Sequence, residues 1–210
     1  MIRLLALLLL AAPAPAQRAP TPPTTTPAPS PADVSVVIAT DAGAITVVLD
    51  RAHAPLTAAN FLRYVDARRL DGTTFYRAMK PGGDLGLIQG GTRDPRRLFP
   101  PVAHEPTTLT GLHHVTGTIS MARGTPGSAR ADFFITLGDW TSLDADPAAS
   151  GDNVGFAAFG RVTAGLDVVR RIVDGPVSPT AGTAAMKGQM LAVPVRIFTV
   201  RRAGPTATVP

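Results

Sequence analysis

The chain has 210 residues, with 21 Pro, 20 Gly and no Cys, and 45% of it is hydrophobic. That apolar share excludes a wholly disordered chain, and the lack of a Gly-X-Y period excludes collagen. The lack of Cys excludes disulfides, thiol catalysis, Fe–S clusters and Cys-based zinc sites. The formal net charge is +5, and only Lys80 and Lys187 among the basic residues are lysines. Arginines occur as isolated pairs (68–69, 96–97, 170–171, 201–202) and no zinc-finger or RNA-binding signature appears, so no nucleic-acid partner is expected.

Residues 1–16 read as a secretory signal peptide. Arg3 is a basic start, Leu4 to Ala12 an apolar run too short to span a bilayer, and Ala14-Pro15-Ala16 a small-x-small cleavage pattern. An uncleaved anchor is the alternative. Residues 17–32 hold six Pro among Thr, Ala and Ser, and read as an extended tether. The domain is expected over 33–202 and a flexible tail over 203–210. An exported, periplasmic or extracellular protein follows, with no stable membrane insertion after cleavage.

Val34 to Thr40 and Ala44 to Leu49, joined by Asp41-Ala42-Gly43, predict a β-hairpin. Pro55 opens a helix predicted over Leu56–Arg69, with Ala58, Phe61, Leu62 and Val65 on one face. Short apolar runs then alternate with turns. Thr74–Ala78, Leu85–Gln89, Gly117–Ala122, Phe133–Leu137, Phe156–Val162 and Val195–Arg201 are predicted strands, and Leu166–Val173 a second helix. Many short strands between loops favour a closed antiparallel barrel, mainly β, over a doubly wound sheet. Residues 91–116, with Pro95, Pro100, Pro101 and Pro106, predict a functional surface loop.

Five ordered pieces of this region resemble the cyclophilin-type peptidyl-prolyl cis–trans isomerases. They are Pro55-Leu56-Thr57-Ala58-Ala59-Asn60-Phe61; Phe75-Tyr76-Arg77 with Gln89-Gly90-Gly91; Gly117-Thr118-Ile119-Ser120-Met121-Ala122-Arg123; Asp132-Phe133-Phe134-Ile135; and Phe159-Gly160-Arg161-Val162 with the helix that follows. The resemblance implies an eight-stranded antiparallel barrel capped by two helices. On its outer wall it implies a groove for proline-containing polypeptides. It implies no cofactor or metal. A monomer is expected, and with the leader read above the isomerase is expected to assist the folding of exported proteins.

By motif position Arg77, Gln89 and Phe134 are the implied catalytic residues. Arg77 would donate to the prolyl nitrogen of the twisted bond, Gln89 would place substrate and arginine, and Phe134 would floor the proline pocket. Phe75, Leu87, Met121, Ala122, Arg123, Leu143 and Phe156 are the implied substrate-binding residues, the backbone of Ala122 and Arg123 serving an extended peptide. Phe133 is expected to point the other way from Phe134 along the strand.

Several positions depart from the pattern. Arg77 and Gln89 are twelve apart, as if four residues were added between them. Gly86 stands where the family has an aromatic, which predicts a smaller pocket wall or one supplied by Leu85. Asp132 replaces the usual Gln, Phe156 a polar ring, and Ser142 the tryptophan of some members; Trp140, two residues earlier, is not given that role. Asp132 and the longer segment motivate the alternative of a non-catalytic binding module. His113-His114 and His104-Glu105 are adjacent pairs expected to point apart, which argues for structural roles rather than metal ligation. Asp144, Asp146, Asp152 and Asn153 lack calcium-loop spacing and read as an ordinary acidic loop.

Overall fold

A computed structural model describes residues 33–204 of the chain. The signal-peptide, tether and most tail expectations lie outside the described residues.

Nine strands, in chain order, are β1 (Val34–Thr40), β2 (Gly43–Leu49), β3 (Thr74–Gly82), β4 (Leu85–Gly91), β5 (Thr118–Met121), β6 (Phe133–Leu137), β7 (Ala157–Ala164), β8 (Val177–Ser178) and β9 (Met190–Arg202). They pair antiparallel in the order β1-β2-β7-β5-β6-β4-β3-β9, and β1 pairs back onto β9. Eight strands thus close the expected barrel, and the two-residue β8 only adds to β9. Closure leaves the long strands without a free edge.

Alternation along each strand separates an interior from an outer wall. Phe75, Ile88, Ile119, Met121, Phe133, Ile135 and Phe159 belong to one buried cluster. Helix α1 (Pro55–Asp66) sets Phe61 edge-on to Phe133, with ring centroids 5.2 Å apart, and beside Phe159 at 5.3 Å. Helix α3 (Leu166–Val173) has the bounds the sequence predicts and buries Val168, Val169, Ile172 and Val173 in the same cluster. A single extra turn, α2 (Thr107–Thr110), lies in the 91–116 segment.

Helix α1 has Ala54 at its N-cap, which offers no capping side chain. The open N–H groups of its first turn are met by Glu105, the chain's one glutamate. Glu105 Oε1 accepts from Leu56 N at 3.1 Å, and Oε2 accepts from Thr57 N at 2.7 Å and Thr57 Oγ1 at 2.6 Å. A carboxylate there also complements the helix dipole. The 91–116 segment is therefore a brace across α1 as well as a surface loop.

Candidate active site

The site forms where β3 pairs with β4. Phe75 pairs with Gly90 and Arg77 with Gln89, so Tyr76 is the extra residue of a bulge. The bulge turns Tyr76 and Arg77 outward together, while Phe75 and Ala78 face the interior. Close approach of the strands requires glycine: a Cβ at Gly90 would lie 2.7 Å from Thr74 O, and one at Gly91 2.5 Å from Asp132 Oδ1. The twelve-residue spacing is absorbed by a longer hairpin. Met79 pairs with Leu87 and Gly82 with Leu85, so added length at the tip leaves Arg77 opposite Gln89. Lys80 of that hairpin pairs with Asp174 at the end of α3.

A chain of hydrogen bonds crosses this wall. Arg77 Nη1 donates to Gln89 Oε1 at 2.7 Å, Gln89 Nε2 donates to the Tyr76 hydroxyl at 2.8 Å, and that hydroxyl donates to Asp132 Oδ2 at 2.6 Å. On its other side the guanidinium gives Nε–H and Nη2–H to Gln189 Oε1, at 2.9 and 2.6 Å, and Nη2 also lies 3.6 Å from the Met79 sulfur. Burial lowers the Arg77 pKa, yet an arginine remains cationic at any working pH. Burial raises the Tyr76 pKa, and the Asp132 charge raises it further, so the phenol stays protonated. Burial likewise raises the Asp132 carboxyl, with the Tyr76 hydrogen bond and Arg93 opposing it. Asp132 Oδ1 is buried without a hydrogen-bond partner.

Beside the guanidinium lies a second, outer apolar cluster. Leu87, Phe134 and Trp140 are its buried members, and Met79, Leu85, Ala122, Leu143 and Phe156 pack on it. Phe134 stacks on the His114 ring at 5.8 Å and meets the edge of Phe156 at 5.5 Å. A cleft of about 380 Å³ adjoins it on the Tyr76–Asp132 side, lined by Gln89, Arg93, Ala122 and Arg123 among others.

Arg77, Gln89, Phe134, Leu87, Ala122, Leu143 and Phe156 therefore meet on one face, as the motifs imply. Phe133 is in the interior, opposite in facing to Phe134. Two implied substrate contacts are corrected: Phe75 and Met121 are 0% and 1% exposed and pack inside the barrel. For Met121 the reason is strand alternation, since Ser120 and Ala122 take the outward positions; for Phe75 it is the bulge, which turns Tyr76 and Arg77 outward together and leaves Phe75 facing in. Of the two expectations for Gly86, the second holds: its missing Cβ points at Val173 of α3, 2.8 Å away, not at the groove, and Leu85, with Leu87, supplies the wall.

The Arg123 side chain is tied down. It gives Nη1 and Nη2 to the Asp152 carboxylate at 2.6 and 2.9 Å and Nε to Gly155 O at 2.9 Å, and it lies 4.9 Å over the Phe156 ring. Ala122 N–H is taken by Asp132 O at 2.9 Å.

His113 and His114 do not point apart. In a loop rather than a strand, both rings reach Asp144, Nδ1 to carboxylate at 2.8 and 2.6 Å. His114 Nε2 lies 2.9 Å from Ser120 Oγ. Since a carboxylate only accepts, the proton sits on Nδ1 and Ser120 donates to Nε2. Burial lowers the His114 pKa, against the pull of Asp144, so the ring is neutral at neutral pH. Burial would raise the Asp144 carboxyl, but hydrogen bonds from both histidines hold it below its ordinary value. His113, His114 and Asp144 are joined by hydrogen bonds to one another, and among the described residues no group of three or more His, Cys, Asp or Glu side chains is arranged to hold a metal ion.

The sequence reading missed Tyr76, Gln189, Met79 and the buried part played by Trp140. Tyr76 was legible only through the bulge. Gln189 lies 112 residues from Arg77 in a stretch without periodicity.

Comparison with known proteins agrees with this geometry. Residues 35–198 match the family model described as cyclophilin type peptidyl-prolyl cis-trans isomerase/CLD. The chain is 38% identical over 143 residues to peptidyl-prolyl cis-trans isomerase cyp18 of Streptomyces antibioticus, covering 66% of this chain and 82% of the relative. It is 33% identical over 171 residues to a peptidyl-prolyl cis-trans isomerase of Acinetobacter baylyi, covering 79% and 84%. Among solved structures, a Cryptosporidium parvum cyclophilin type isomerase shares the fold at TM-score 0.64 and 20% identity, over 82% of this chain and 98% of that one. The same parasite protein has been solved in the presence of the dipeptide Ala-Pro, with TM-score 0.62. With its barrel, outward arginine and apolar patch, the chain belongs to the cyclophilin-type peptidyl-prolyl cis–trans isomerases.

Proposed function

We propose that Arg77, Gln89 and the Phe134 patch carry the isomerase activity, and that the enzyme serves the folding of exported proteins. Rotation about a peptide bond costs about 18–20 kcal/mol because it breaks amide resonance. At a prolyl bond the twisted state frees a lone pair on the ring nitrogen. A donor aimed at that lone pair stabilises the twisted state more than either planar isomer, with no nucleophile and no net proton transfer.

Arg77 fits that task by counting donors. A guanidinium has five N–H groups. The Nε–H and the two on Nη2 face Gln189 and Met79, and one on Nη1 faces Gln89. The second Nη1 N–H is left for substrate. Phe134, Leu143, Phe156 and Met79 give the proline ring an apolar seat beside it. The carbonyl of Ala122 and the backbone of Arg123 accept an extended peptide as a short added strand.

The observation that carries this reading is the convergence of a restrained arginine and an apolar floor on one outer wall. An isomerisation assay on a proline-containing peptide, with the full chain, tests it. Export rests on the pattern of residues 1–16, and N-terminal sequencing of the protein recovered from cells is expected to begin at Gln17. Full-length protein in the cytoplasm refutes export.

A further inference from the structure

We infer that Gln189 is a positioning residue of the isomerase, holding Arg77 in its working orientation from the side opposite Gln89. The inference rests on the reading that Arg77 is the donor to the prolyl nitrogen. Gln89 fixes one end of the guanidinium by a single bond from Nη1. One bond leaves the plane free to swing about it. Gln189 Oε1 takes two donors at once, Nε at 2.9 Å and Nη2 at 2.6 Å, which sets the plane and its rotation together.

Gln189 is itself held so that its oxygen faces the arginine. Its Nε2 donates to Ala185 O at 2.9 Å, which fixes the sense of the amide. Its carbonyl accepts from Ala78 N at 2.9 Å, one residue beyond Arg77, and its N–H donates to Met186 O at 3.1 Å. The segment before it is a tight loop. Gly182 has φ +93°, and a Cβ there would lie 2.4 Å from Met186 O. Met186 of the same loop lines the cleft beside Tyr76 and Gln89. The stretch between α3 and β9 thus forms part of the active-site wall. Gln189 is neutral, so it orients the guanidinium without cancelling its charge, and four rotatable side-chain bonds of Arg77 are constrained from both ends.

A double-mutant cycle on the full chain tests this, with kcat and KM measured separately on a proline-containing peptide. Gln189→Ala is expected to lower kcat about tenfold, as small misplacements of a reacting group do, and to change KM less than twofold. The Arg77 Nε–H NMR resonance is expected to broaden or vanish. Gln189→Glu, which keeps an acceptor for both donors, is expected to restore that resonance and to raise kcat above the alanine variant. In the Arg77→Ala background, Gln189→Ala is expected to change nothing further. Equal losses from Gln189→Ala with and without Arg77 overturn the inference, as does an unchanged kcat with a sharp Nε–H signal. A parent without isomerase activity overturns the underlying reading instead, and the NMR signal still reports whether Gln189 holds the arginine.

Discussion

Removing one oxygen from Tyr76 opens the buried relay at its centre. In Tyr76→Phe, Asp132 Oδ2 loses its donor at 2.6 Å and Gln89 Nε2 loses its acceptor at 2.8 Å. Both partners are in the wall of the site, and Asp132 already carries one oxygen without a partner. A hydrogen bond to a charged group contributes about 1.5–3 kcal/mol, and an orphaned buried donor costs about 1–3 kcal/mol. Uptake of a proton by Asp132 offsets part of this, since its pKa is already raised by burial. The expected net loss is about 3 kcal/mol, or roughly 6–12 °C in Tm for a domain of this size. Denaturant unfolding monitored by Trp140 fluorescence measures it, with the midpoint falling and the m-value unchanged. Because a freed Gln89 amide no longer faces Arg77 in one sense, kcat is expected to fall as well. A variant within 0.5 kcal/mol of the parent at neutral pH refutes the relay as a stabilising element.

Three further outcomes are expected. Glu105→Ala leaves the Leu56 and Thr57 donors at the start of α1 without their carboxylate and is expected to cost about 2–3 kcal/mol in chemical unfolding, with Glu105→Gln intermediate. Gly86→Ala pushes a methyl to 2.8 Å from Val173 Cγ1 and is expected to cost about 1–2 kcal/mol by thermal unfolding, less than half of that in a Val173→Ala background, with kcat/KM preserved because the methyl faces α3. His114, whose pKa burial lowers, takes its proton later in the folded than in the unfolded chain. Stability is therefore expected to be level above the unfolded value near 6.5 and to decline as pH falls from there to the folded value, at most about 1.4 kcal/mol per pH unit. A His114→Gln variant, compared by unfolding at each pH, is expected to lose that decline.

Features set by local pattern were legible in the sequence. The alternation of Phe133 and Phe134 gave one ring to the core and one to the groove, and α3 ended at Val173 before Gly175-Pro176. Features set by distant contacts were not. β9 begins at Met190 and runs through Pro194, where the pairing with β3 jumps from Val195 to Met190 and the missing N–H costs no ladder bond. The bulge at Tyr76 broke the expected alternation and drew Phe75 into the core, against the motif's implication. Asp132 looked like a charge intruding on the groove, yet it ends the relay that orders Gln89. Glu105 reads as structural in the sequence, but nothing local shows what it holds: it caps a helix 48 residues upstream of it. Each of these depends on which residues the barrel brings together, and no local periodicity encodes that.

The central claim is that one restrained arginine donates to the twisted prolyl bond. The kcat/KM of Arg77→Ala for isomerisation of a proline-containing peptide measures it against the parent. Clear catalysis by the parent is expected, with a loss on the order of 100-fold in the variant, or about 3 kcal/mol for one oriented donor. An alanine variant within threefold of an active parent contradicts it.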